Sequence, residues 1–271
     1  MATTIKVDDS TLVQLLKNHE GFVSKTMPEL VRKYSRIACV ELANRTQPFS
    51  VGAKSEGAKK LGEDAVKIGI TGVIPEKAYF QFIVDSTSND TLRERLQGYV
   101  ASGQWKKFAE VMVSVGMWKE AKVISGREIG TIHKQHRSKS TGRALSTKGK
   151  MYLAKSGPDA YIKKIQKRVG LSKSGWADAA RKIGGVKGDG ARGIPAFAKA
   201  KRHKSAGGIT DRTKDKTNPR VDMQNDTPWV SRICPRSEQL IALQIARDKM
   251  IKEADMRLKS AAKNKFEEST Q

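Results

Sequence analysis

The chain has 271 residues, of which 38% are hydrophobic and only 6% aromatic, enough for one large domain or two small ones around a modest core. Its two cysteines, Cys39 and Cys234, stand far apart and form no CxxC pair, which disfavours a disulfide framework or a cysteine-based zinc site and fits a reducing compartment. Met1 to Asp9 lacks a basic start followed by an apolar core, and no apolar run approaches the roughly 18 residues that span a bilayer, so the expectation is a protein neither secreted nor membrane-embedded.

Charge is the outstanding property. The 52 Lys and Arg exceed the 28 Asp and Glu by a formal +24, and residues 122–220 hold 26 of the basic side chains against 6 acidic ones. An excess concentrated in one segment points to a local footprint for nucleic acid or an acidic protein surface, the other reading being a solubilising charge run.

In chain order, apolar residues from Leu12 to Leu42 recur at helical spacing, interrupted by Gly21 and Pro28, which predicts two helices or one kinked helix with Cys39 in the buried stripe. A loop at 46–52 leads to a short amphipathic helix from Glu56 to Ile70, closed by Gly72 and Pro75. Ala78–Val84 has strand composition between helical patterns. Asn89 or Asp90 caps a helix to about Val100, and Gln104–Val115 supplies another. Glu120–Ile124 reads as a strand, and 132–150 as an extended, hydroxyl-rich basic loop. Helices follow around Tyr161, ending at Gly170, and around Trp176. Beyond a glycine-rich stretch, Lys199–Arg220 reads as a mobile basic arm, Val221–Val230 as a short strand, and Pro235–Phe266 as the longest helix, its apolar face formed by Leu240, Ile241, Leu243, Ile245, Ala246, Met250, Ile251, Ala254 and Leu258.

The fold expected is therefore α+β, mainly helical, with long N- and C-terminal helices packed on a small sheet of 78–84, 120–124 and 221–230. Three regions follow: 1–121 helical, 122–220 a basic loop-rich arm with a helical insert, and 221–271 completing the core.

Chemistry candidates are weak. Gly188-Asp-Gly190-Ala-Arg-Gly193 matches G-x-G-x-x-G, but no apolar strand precedes it and Pro195 follows at once, so a flexible loop is the better reading. His133 and His136 lie beside Lys134 and Arg137, which would repel a metal cation. No GxSxG elbow or P-loop occurs, and no carboxylate cluster supplies two-metal ligands. The helices around Tyr161 and Trp176 are the nearest approach to a helix-turn-helix. The residues expected to meet a polyanion or an acidic partner are His133, Lys134, Arg137, Lys139, Arg143 and Lys148 in the first basic stretch, and Lys199, Lys201, Arg202, Lys204 and Arg212 in the second. No catalytic, cofactor-binding or metal-binding residue is assigned.

The words Ala43-Asn-Arg45-Thr-Gln-Pro48, Lys59-Lys60-Leu-Gly62-Glu-Asp-Ala65-Val66, His133-Lys-Gln-His-Arg137 and Gly142-Arg143 carry a resemblance. They continue in Tyr161-Ile-Lys-Lys-Ile-Gln166, Val169-Gly170-Leu-Ser-Lys173-Ser-Gly175-Trp176-Ala177, Gly193-Ile-Pro195-Ala-Phe197, His203, Asn225 and Trp229. From about residue 38 to 250 the chain resembles minor structural proteins of tailed bacteriophages, the neck and tail-completion class that finishes the tail or joins it to the head. The resemblance implies a protein without enzymatic activity or cofactor that assembles as a homo-oligomeric ring or collar with other virion proteins (portal, connector, tail tube or tail terminator). It further implies possible non-specific contact with phage DNA, residence in the virion, and passage through the host cytoplasm during assembly. Gly142, Tyr161, Gly170, Lys173, Gly175, Trp176, Pro195, Asn225 and Trp229 are the structural residues that it marks.

Overall fold

The helical spacing of Met27, Leu30, Val31, Tyr34, Ala38 and Leu42 becomes one 26-residue helix, α1 (Glu20–Arg45), which runs through Pro28 without dividing. The computed structural model describes residues 3–7, 20–48, 55–140, 143–184, 190–201, 207–215 and 218–269. The chain is α+β and mainly helical, with 59% helix, as expected. It forms two compact units, residues 1–59 with 170–271, and residues 60–169. The basic segment is no separate arm, because 122–169 belong to one unit and 170–220 to the other.

In the first unit α1 packs on α8 (Leu171–Lys182) and on α11 (Arg236–Ser269). The face that α11 buries is only part of the apolar face expected, with Leu243 and Leu258 half-buried against the core. Ala242, Ala246, Met250 and Ala254, spaced by four, go into the core, whereas Leu240, Ile241 and Ile251 stay exposed. A ridge of small side chains lets two helix backbones approach closely, so that more of the partner helix's surface is buried than bulky residues would permit. Three strands complete the unit: β1 (Thr3–Val7), β4 (Gly207–Arg212) and β5 (Arg220–Asn225), antiparallel in the order β1-β5-β4. β4 falls inside the stretch expected as a mobile arm. It pairs with β5 from Gly207 opposite Asn225 to Arg212 opposite Arg220, and Asp211 Oδ1 starts the connecting turn by accepting from Thr213 N at 2.9 Å and Thr213 Oγ1 at 2.6 Å. The short helices α9 (Ala196–Lys199) and α10 (Val230–Ile233) flank the sheet residues in sequence.

The second unit begins with α2 (Ser55–Thr71), α3 (Lys77–Asp85), α4 (Asp90–Ala101) and α5 (Trp105–Ser114). Here the expected strand at 78–84 is corrected to helix. Phe80, Ile83 and Val84 are buried at spacings of three and four, while Phe82 between them is 64% exposed, the period of a helix and not of a pleated strand. Asn89 caps α4 as anticipated, its Oδ1 accepting from Leu92 N at 2.9 Å. Phe80, Trp105, Phe108 and Trp118 form a chain of ring contacts with centroids 5.5–6.3 Å apart, so the few aromatic residues are concentrated in the smaller unit's core. β2 (Glu120–Ile124) pairs in parallel with β3 (Lys150–Ala154), and α6 (Ile129–Gln135) crosses between them; α7 (Asp159–Gln166) follows β3. The single sheet expected is thus two separate sheets, and 132–150 is only partly loop.

Candidate basic interface

Residues 60–121 carry 8 Lys and Arg against 8 Asp and Glu, whereas 122–169 carry 13 against 2. The two acidic residues cannot neutralise the surplus. Glu128 lies 3.5 Å from Lys122, and Glu120 just outside the segment lies 2.6 Å from Lys150. Lys134 on α6, Lys139 and Lys148 on the segment after it, and Lys163, Lys164 and Arg168 on or beyond α7 are exposed and meet no carboxylate among the described residues.

Two histidine–tyrosine pairs support this surface. His133, expected to be an interaction residue, is instead 4% exposed, its Nδ1 3.2 Å from Tyr161 Oη with ring centroids 5.7 Å apart. Burial, and secondarily the charge of Arg137, push its pKa down to about 4, so it is neutral at pH 7 and contributes packing and a hydrogen bond, not charge. His136 Nε2 lies 3.0 Å from Tyr152 Oη. The Tyr161 hydroxyl has a raised pKa through burial, partly offset by Arg137 and Arg168, which places both guanidinium groups near this ring. The following loop folds back on itself: Ser138 N donates to Arg143 O at 2.9 Å and Leu145 N to His136 O at 2.8 Å, with an antiparallel bridge between Arg137 and Ala144. Lys139 is therefore carried on a closed loop, with Arg137 and Arg143 at its two ends. Lys148 follows in a left-handed conformation, φ 53°. Gly142 lies outside the described residues.

The second basic stretch is less uniform. Lys199 ends α9, Lys201 is half-buried, and Arg212 on β4 places its Nε 3.9 Å from Asp222. Arg202, Lys204 and His203 lie outside the described residues.

The residues marked by the resemblance divide between surface and core. Tyr161 backs the basic surface; most others gather in the first unit around α8. Gly170 holds φ 85° at its N-cap, facing Phe197, and Pro195 opens α9. Asn225 at the end of β5 is fully buried, donating from Nδ2 to Ser172 O at 2.8 Å and accepting at Oδ1 from Thr227 Oγ1 at 2.7 Å and Thr227 N at 3.2 Å. Gly175 is what lets it sit there, since a Cβ would fall 2.6 Å from Asn225 Cγ. Trp176 is completely buried and donates from Nε1 to Thr46 Oγ1 at 3.2 Å; that hydroxyl donates to Leu42 O at 2.6 Å. Trp229 is half-buried at the N-cap of α10.

Lys173 is the feature that composition could not reveal. It is 1% exposed, and its Nζ donates to Ala43 O at 2.6 Å in the last turn of α1. The negative end of a helix is a favourable place for a cation, yet burial still lowers its pKa to about 8. Cys234, also buried, lies close enough to act on it electrostatically, with its own pKa raised mainly by burial. A thiol and an amine enclosed in this way are structural groups, inaccessible to a substrate.

Two sequence candidates lapse here. α7 and α8 belong to different units, and α8 buries every residue from Ser172 to Ala177, so it presents no base-reading face and the helix-turn-helix reading is discarded. Gly190 and Gly193 of the glycine motif lead only to the four-residue α9, not to a helix that could hold a pyrophosphate. Among the described residues no group of three or more His, Cys, Asp or Glu could hold a metal ion, and no helix is long and apolar enough to cross a membrane.

No protein family, no curated protein and no solved structure matches this chain.

Proposed function

We propose that this chain is a non-enzymatic bacteriophage virion assembly protein of the neck or tail-completion class, acting at the head–tail junction as a homo-oligomeric ring or collar. Its basic surface docks on acidic neighbours (portal, connector, tail tube or tail terminator) or on DNA in the channel. The observation that carries this reading is the surface of 122–169, where exposed cations such as Lys134, Lys139, Lys163 and Lys164, without carboxylate partners among the described residues, stand on short helices and a closed loop backed by the two histidine–tyrosine pairs. Positive charge fixed in place serves complementarity and steering better than charge on a floppy tail, because less conformational entropy is lost on docking. The resemblance of the short sequence words to neck and tail-completion proteins suggests the biological setting.

Mass spectrometry of purified particles tests it. The expected result is the protein in stoichiometric, multicopy amount, with tail-less or unjoined heads accumulating when its gene is disrupted. Its absence from mature particles refutes the reading.

The same surface favours one other function, sequence-independent nucleic-acid binding outside any virion, since lysines and arginines beside tyrosines suit a phosphate backbone. That reading requires affinity for duplex DNA to fall about a thousandfold or more between 50 and 200 mM salt, and is refuted by no binding at low salt.

A further inference from the structure

The parallel pair β2–β3 is a two-stranded sheet, so among the described residues β3 has a neighbour on one side only. Beside this strand the second unit has a groove of about 450 Å³. Ile68 and Thr71 of α2, Val73 and Pro75 of the connection, Tyr79 of α3 and Met151 of β3 line it. Its walls are more apolar than polar, with Glu76 and Thr147 also in the lining, and they are open to water: Ile68 is 70% exposed and Tyr79 41%. We propose that this groove receives an extended segment of a partner protein, which pairs with β3 as a third strand, places apolar side chains at alternate positions in the groove, and carries acidic residues at its flanks.

Each part of that description answers an observation. An unpaired strand edge offers N–H and C=O groups that an extended peptide satisfies and a docked helix, whose backbone is already bonded internally, does not. The apolar lining calls for side chains projecting on one side of the segment, which a strand supplies at every second residue. Charge decides the flanks. Of the cations around the groove, Lys67 is paired with Glu76 at 2.9 Å and Lys150 with Glu120 at 2.6 Å, while Lys77 and Lys148, next in sequence to the lining residues Glu76 and Thr147, are exposed with no carboxylate partner among the described residues. An acidic segment is attracted there and a basic one repelled, which also disfavours a second copy of this strongly basic chain as the occupant. The inference does not depend on a virion role, because it rests on the strand edge, the groove lining and Lys77, with only Lys148 shared with the basic surface described above.

The test uses the full-length chain and fluorescein-labelled peptides of about ten residues. One alternates valine and threonine between glutamates at both ends; a second has the same composition with the valines consecutive; a third is the alternating peptide N-methylated at every second residue, which removes its pairing donors. The alternating peptide is expected to bind, with affinity lowered about tenfold or more by I68E and by Y79E, and both competitor peptides are expected to bind at least as weakly. Both substitutions are at exposed positions, and circular dichroism and melting checks establish that the variants remain folded. No binding of the alternating peptide, equal binding of the N-methylated one, or unchanged affinity in both variants overturns the proposal. Concentration-dependent self-association that I68E abolishes, without peptide binding, assigns the groove to a second copy and overturns it as well.

Discussion

Replacing Gly175 by alanine sets two opposite effects against each other, and the structure decides which wins. Alanine inside a helix is favoured over glycine by about 1 kcal/mol. At this position, however, the new Cβ would lie 2.6 Å from Asn225 Cγ and 2.7 Å from its Nδ2, so the amide must move. Asn225 is completely buried and makes three hydrogen bonds, to Ser172 O, Thr227 N and Thr227 Oγ1. Weakening these costs about 1 kcal/mol each, and the steric strain adds about 1–3 kcal/mol. The net effect is a loss of about 3–5 kcal/mol, which for a unit of this size lowers the melting temperature by about 6–20 °C. Gly98 in α4 is the control, because a Cβ there meets nothing within 4 Å; G98A is expected to raise stability by about 1 kcal/mol. Thermal unfolding followed by far-ultraviolet circular dichroism and tryptophan fluorescence compares the two. If G175A melts at or above the wild-type temperature, the close approach of α8 and Asn225 is refuted.

Three other outcomes follow from the charges. Lys173 has its folded pKa lowered to about 8, below its ordinary value, so the unfolded chain binds more protons above pH 8 and stability gains from this group as pH rises from about 8 to 10.5; the gain, about 3 kcal/mol in full, is expected in wild type and absent from K173M when both are followed by denaturant titration across this range. His133, with its pKa lowered to about 4, behaves as a buried neutral imidazole: its contribution is complete above pH 6.5 and lost as pH falls towards 4, so acid unfolding monitored through the second unit's Trp105 and Trp118 is expected to shift to lower pH in H133F, and an unchanged midpoint contradicts the burial. On α7, K163E with K164E is expected to reduce the salt dependence of duplex-DNA binding by about 2 in logarithmic slope if these lysines touch phosphates; an unaltered slope removes α7 from the interface.

Helices were the legible part of the sequence because their signal is local. The stripe from Leu30 to Leu42, the Asn89 cap and the length of the last helix follow from residues three or four apart, and the α+β, mainly helical class follows with them. The concentration of charge in 122–220 was equally plain, being a matter of counting, whereas its division at 169 between two units was not. At Ala78–Val84 strand propensity misled, although the spacing of Phe80, Ile83 and Val84 held the helical answer.

Tertiary structure alone decided the rest. β3 and β4 are strands because partners 30 residues away and across a turn take up their hydrogen bonds, which no local pattern encodes. The face of α11 turned inward is its alanine ridge because α1 lies against it, and the larger Leu240 and Ile251 are left outside. His133, expected to meet a partner, proved to be buried against Tyr161, and Lys173, which the charge count includes among the cations, lies beneath the end of α1. Composition fixes how many charges a chain carries, but only the packing around each one decides whether it faces a partner or the core.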